Sequence, residues 1–310
     1  MAFRSYCMLC VVCGVVTLTV VFPAIWAEPK PTASAASLHI SVHPVLPLLL
    51  ENPRMAVRYC NASEQASLTI HPPTNEFLGP KEDYCDLSII ADGKKVNRPR
   101  FGTGELIAPV PHVLKPGRLK EVQFHLMSFP DRLKDWDQLE VRLEKSWGLP
   151  AATTASFLLR RNPQIKPESE QNNLEIAVLA ELPVDPLSPQ IVVRFCNAGK
   201  ESLRLLLPRN GGRLHGMAIT VDGKPLKSSG DTPAGGRDPR MDWWSHLLGP
   251  KESVEVHVQL FPLAAIPKDW KRLEVTVKKN NEFEASIYST LILERHEPKR
   301  LYGNPPPAKP

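Results

Sequence analysis

From Ser37 onward, apolar and polar residues alternate in short runs. Leu38, Ile40 and Val42 share one parity, and so do Val57 and Tyr59, then Leu87, Ile89 and Ala91, then Val122, Phe124 and Leu126, then Leu139, Val141 and Leu143. The pattern returns further on in Leu174/Ile176/Val178, Val193/Phe195, Met217/Ile219/Val221, Val256/Val258/Leu260 and Leu273/Val275/Val277. A period of two is that of a strand with one face buried. The intervening positions are polar, among them Glu121, Gln123, Glu140, Arg142 and Glu144, matched by Glu255, His257, Glu274, Thr276 and Lys278. Further strands are predicted near 68–70 and 203–207, and closing strands near 153–160 and 287–293. No run with helical period competes.

The two sets of strands are one unit written twice. Residues 37–61 and 173–197 align without a gap at a shift of 136, and they share Leu38/Leu174, Ile40/Ile176, Val42/Val178, Leu46/Leu182, Pro47/Pro183, Pro53/Pro189, Val57/Val193, Arg58/Arg194, Cys60/Cys196 and Asn61/Asn197. Asp92-Gly93-Lys94 matches Asp222-Gly223-Lys224 at a shift of 130. Asp135-Trp136 matches Asp269-Trp270 at 134. Changes in spacing this small are loop insertions between copies of a tandem duplication. The predicted organisation is a leader over 1–27, a spacer over 28–36, a first sandwich over 37–161, a linker over 162–172, a second sandwich over 173–297 and a Pro-rich tail over 298–310.

About seven short antiparallel strands per copy, with Asp-Gly turns, predict an all-β chain of two tandem immunoglobulin-like sandwiches. Each copy has an apolar strand ending in Asn-Ala-Ser (Asn61 to Ser63) or Asn-Ala-Gly (Asn197 to Gly199). An Asp-Gly-Lys hairpin follows, then Leu-x-Pro-Gly (Leu114 to Gly117) or Leu-Gly-Pro-Lys (Leu248 to Lys251), then alternating Glu-Val. This order resembles secreted immunoglobulin-like sandwiches and is similar to the BsuPI-type proteinase-inhibitor domain. The resemblance implies architecture; sandwiches of this kind host many activities.

Composition narrows the function classes. The 310 residues include 32 prolines, which disfavour long helices. Lys and Arg number 38 against 33 Asp and Glu, a net charge of +5 too small and too dispersed to point to a nucleic-acid partner. Arg4 precedes an apolar run from Cys7 to Ala27, which reads as an export signal and is also long enough to span a bilayer if it stays uncleaved. The expected location is therefore secreted, periplasmic or cell-surface, with a protein or glycan partner outside the cytoplasm. Membrane attachment is expected only through an uncleaved leader.

Candidate chemistry is sparse. No Gly-x-Ser-x-Gly, His-Glu-x-x-His, phosphate loop or Cys-x-x-Cys occurs after the leader, so no enzyme class or cofactor is indicated. His39 and His43 lie four residues apart on one strand, about 13 Å, too far to share a zinc ion; they and the remaining histidines read as solvated or loop side chains. Cys60 and Cys85 are candidates for a disulfide or for free thiols, their opposite parity requiring a strand end that twists between layers. Asn61-Ala62-Ser63 is formally a glycosylation acceptor and otherwise a strand-end turn.

The stretch from Ser228 to His246 contains Arg237, Asp242, Trp243 and Trp244. Paired indoles beside a carboxylate and a guanidinium make either a platform for a sugar or peptide or a plug for the open end of the sandwich. Exposed loops such as Ser228 to Trp244 or His71 to Tyr84 would alternatively serve a proteinase inhibitor by entering a protease cleft.

Overall fold

The computed structural model describes residues 37–48, 53–70, 85–96, 111–125, 136–146, 151–165, 173–208, 214, 216–226, 243–260, 266–280 and 283–296. They belong to one compact unit, Ala33–Pro310, and are nearly all strand. The leader, the spacer over 28–36 and the tail over 298–310 lie outside the described residues.

The first half contributes β1 (Leu38–Pro44), β2 (Arg54–Asn61), β3 (Leu68–Ile70), β4 (Cys85–Ala91), β5 (Lys94–Lys95), β6 (His112–Leu114), β7 (Leu119–His125), β8 (Gln138–Ser146) and β9 (Thr153–Arg161). The second contributes β10 (Leu174–Ala180), β11 (Gln190–Asn197), β12 (Leu203–Pro208), β13 (Met217–Val221), β14 (Lys224–Pro225), β15 (Trp243–Leu248), β16 (Ser253–Gln259), β17 (Arg272–Val277), β18 (Lys279–Asn280), β19 (Phe283–Glu284) and β20 (Ile287–Arg295). Every strand anticipated from alternation is present. The extra elements are short returns, β5 and β14 after the Asp-Gly turns, the pair β18 and β19, and the partners β6 and β15 of the short two-stranded sheets.

Equivalent strands pair alike. β1 with β2 and β10 with β11 form antiparallel hairpins whose registers are superimposable at the repeat shift, Ile40 opposite Tyr59 and Ile176 opposite Phe195. β7 and β16 add to them as outer strands. Each half buries its own apolar cluster, centred on Ile40, Val57, Trp136 and Phe157 in one and on Ile176, Val193, Trp270 and Leu291 in the other.

Local chemistry repeats with the strands. The backbone is left-handed at Asp92 and Gly93 (φ 48° and 75°) and at Asp222 and Gly223 (φ 47° and 79°), as a two-residue hairpin with both central φ positive requires. The Asp92 carboxylate accepts bonds from the Asp137 and Gln138 amides at 3.0 and 2.8 Å, and Asp222 treats Lys271 and Arg272 the same way. Each carboxylate thus fixes the corner that follows a tryptophan. Trp136 and Trp270 are fully buried at these corners, and the guanidiniums of Arg161 and Arg295 stack over them at 4.5 and 5.3 Å.

The halves join in one sheet. Along its whole length β9 pairs antiparallel with β20. Phe157 lies opposite Leu291, its own equivalent at the shift of 134, and Ala155 opposite Leu293 is mirrored by Leu159 opposite Ser289. Exchanging the halves leaves the register unchanged, so a pseudo-twofold axis passes through the Phe157–Leu291 pair. The other edge of β9 pairs with β1 at its start and with β8 further along, and β20 does the same with β10 and β17. The result is a fourteen-stranded sheet running through both halves.

β1 and β10 also pack against each other and are buried on both faces. Ala177 and Leu179, on the face of β10 that turns away from its own core, complete the apolar cluster of the first half.

Candidate functional site

The tryptophan pair does not form a joint platform. Trp243 and Trp244 are consecutive residues of β15, so their side chains leave on opposite faces of the strand. Trp244 packs against the core of the second half and meets His246 edge-on at 4.8 Å. Trp243 shares the outer face of β12 and β15 with Leu206 and Leu247. The register places Pro208 opposite Trp243, Leu206 opposite Ser245 and Arg204 opposite Leu247, so Leu206 lies on the diagonal between Trp243 and Leu247. Leu206 is 41% exposed and Leu247 61%. The equivalent of Leu247 in the first half is Val113 of β6, at 59%. A strand occupies positions read as loop because Trp-Trp-Ser-His-Leu-Leu does not alternate. Arg237 and Asp242, with most of the stretches 228–244 and 71–84, lie outside the described residues.

Asn61 is a structural clip rather than an exposed acceptor. Its side chain is wholly buried, its amide nitrogen donates to the carbonyls of Ala66 and Leu114 at 2.8 and 2.9 Å, and its amide oxygen accepts from the Ser63 amide. The atom that a glycan would need is already committed inside the fold. Asn197 repeats the clip with Glu201, Leu248 and Gly199.

Cys60 and Cys196 are free and buried, so the Cys60–Cys85 bridge is not made. Cys85 sits at the start of β4, and its side chain lies outside the described residues. Burial pushes both thiols above their usual range, Cys196 to about 12 with help from nearby Glu175. Such thiols are poor nucleophiles.

Buried polar groups gather where the halves meet. His39, Ser41 and His43 occupy the face of β1 opposite its core residues, and all three are buried, contrary to the expectation of solvated imidazoles. Glu175 stands on β10 at the position equivalent to His39. The Leu48 amide donates to Glu175 Oε2 at 2.7 Å, and the Val184 amide to His39 Nδ1 at a longer 3.4 Å. Leu48 and Val184 are themselves equivalent at the shift of 136, so the two bonds form a reciprocal pair across the pseudo-twofold axis. An imidazole and a carboxylate perform one task in the two copies.

Beside this pair, Arg58 bonds Glu121 at 2.6 Å, and Arg194 bonds Glu255 in the equivalent place. Burial lifts the Glu175 carboxyl to about 7 and holds the His39 imidazole below its ordinary value. His43 is held at about 3, first by burial and then by the charges of Arg58 and Arg194, which outweigh Glu121. Alternation of the apolar residues marked this face as the polar one, and only the partner half could bury it.

Among the described residues there is no group of three or more His, Cys, Asp or Glu side chains placed to hold a metal ion, and no helix is long and apolar enough to cross a membrane. In comparisons with known protein families and with curated proteins, nothing matches the chain.

Proposed function

We propose that the protein is an exported, non-catalytic binding protein whose two immunoglobulin-like repeats present sheet surfaces to a macromolecular partner. The observation that carries this reading is the outer face of β12 and β15, where Leu206 and Leu247 are 41% and 61% exposed and lie on a diagonal with the half-buried Trp243. Singly exposed apolar residues are ordinary on any surface; a contiguous row on a short two-stranded sheet is what a recognition surface offers. Val113 at the matching place of the first half gives the surface a smaller counterpart.

The test compares the intact protein with a Leu206→Asp/Leu247→Asp variant. Both are immobilised and exposed to the extracellular and surface fraction of the source cells, and retained material is quantified by mass spectrometry. The reading predicts a defined set of molecules retained by the first and lost from the second at unchanged melting temperature. Equal retention by the two contradicts it.

Carbohydrate recognition is the second reading, favoured by the position of Trp243 on that outer face, where an indole stacks on a sugar ring. A glycan-array signal that persists in Trp243→Ala rejects it. The inhibitor reading rests on the stretches 228–244 and 71–84, and titration against a protease panel decides it.

A further inference from the structure

The layer between the halves holds ionisable groups for which recognition at the outer sheet has no use. Its reciprocal bonds are chemically unequal. A carboxyl oxygen of Glu175 accepts the Leu48 amide whether or not the group is ionised, whereas His39 Nδ1 accepts the Val184 amide only while that nitrogen carries no proton. Four residues along β1, His43 is 2% exposed, and its Nδ1 has no hydrogen-bond partner among the described residues. The corresponding residue of β10 is Leu179, an apolar filler.

The charged groups around His43 come from both halves: Arg58 on β2 and Arg194 on β11 oppose its protonation, and Glu121 on β7 favours it. Glu121 is already engaged by Arg58, and Glu255 on β16 by Arg194. Cys60 and Cys196 lie beside His39 and Glu175 in register and are neutral thiols. A proton arriving at either imidazole therefore places an uncompensated positive charge where the two halves pack together. The apolar cluster of the second half lies on the other face of β10, whereas that of the first half reaches across the layer to Ala177 and Leu179.

We propose that the His39–His43–Glu175 layer is a pH-gated clasp: acid protonates the two imidazoles, breaks the His39 bond to the opposite half and parts β1 from β10, while the strands of each half and the β9–β20 ladder stay paired.

Both imidazoles are depressed in the folded chain, so they contribute stability that is present above about 6.5 and lost as the pH falls below it, for His43 down to about 3. Glu175 is raised, so its contribution is largest below its ordinary 4.5 and is lost as the pH rises through about 7. Between 4.5 and 6.5 the carboxyl offsets one imidazole, and below 4.5 the depressed His43 acts unopposed. The clasp is tightest near neutrality and opens on the acid side.

The experiment uses the intact chain and three readouts across pH 3.5–7.5: radius of gyration by small-angle scattering, far-ultraviolet circular dichroism, and the ring resonances of selectively labelled histidines. The expected result is an increase in radius below about pH 4.5 with strand signal retained, coincident with titration of two depressed histidines. In His39→Gln/His43→Leu the expansion shifts to lower pH by at least one unit. The clasp is overturned if the variant expands at the same pH as the parent, if strand signal is lost together with compactness, or if the parent stays compact while those histidines titrate. Should the variant fail to fold, the parent's histidine titrations and its expansion decide alone, coincident midpoints supporting the clasp and separate ones rejecting it.

Discussion

Two asparagines do much of the local work. Asn61 and Asn197 each make three side-chain hydrogen bonds that tie the end of one strand to the turn after it and to the carbonyl at the end of β6 or β15. Replacing either by alanine strands carbonyls with no water to reach them, and we expect a loss of about 2–3 kcal/mol in urea unfolding. The turn they brace is left-handed at Gly117 (φ 65°) in one half and at Lys251 (φ 61°) in the other. A side chain there is strained whatever the space around it. Gly117→Ala should therefore cost about 1 kcal/mol and Lys251→Gly should gain up to about 1 kcal/mol, opposite signs at one structural position. The repeated Asn was legible as a strand-end residue. Its commitment to buried carbonyls was not, because Asn-Ala-Ser reads the same whether the amide faces water or the core.

At the scale of elements, alternation located the long strands, since a sheet with one buried face needs that period and nothing else in this chain mimics it. It failed at β15, where both faces carry bulky residues, one turned to solvent and one to the core. That division makes a sharp contrast testable: Leu247→Ser should shift unfolding free energy by no more than about 0.5 kcal/mol, whereas Leu205→Ala, on the inner face of the paired strand, should cost about 2–4 kcal/mol. The Asp-Gly hairpins were recognised as turns, but their carboxylates also organise a distant corner. Asp92→Ala should loosen the bend before β8 and cost about 1–2 kcal/mol, with a change in the fluorescence of the neighbouring Trp136.

For the whole molecule, duplication was plain in the sequence, and the way the copies meet was not. Thr153–Arg161 and Ile287–Arg295 are mostly buried, because each strand covers the other half as well as its own. A run that mixes small hydroxyl residues with apolar ones, as both do, looks in sequence like any interior strand. Likewise, His39, His43 and Glu175 occupy what alternation marks as a solvent face, and only the second copy removes them from water. Joining two halves through equivalent closing strands resembles a twofold dimer made permanent by a linker.

The ladder of β9 and β20 is what makes one molecule of the two halves. Hydrogen exchange resolved at single amides along 153–161 and 287–295 tests it most directly. The ladder predicts that both strands exchange as slowly as the β10–β11 hairpin and lose protection together as denaturant is added. Exchange of β9 or β20 amides within minutes in native buffer, while β10 and β11 stay protected, would contradict it.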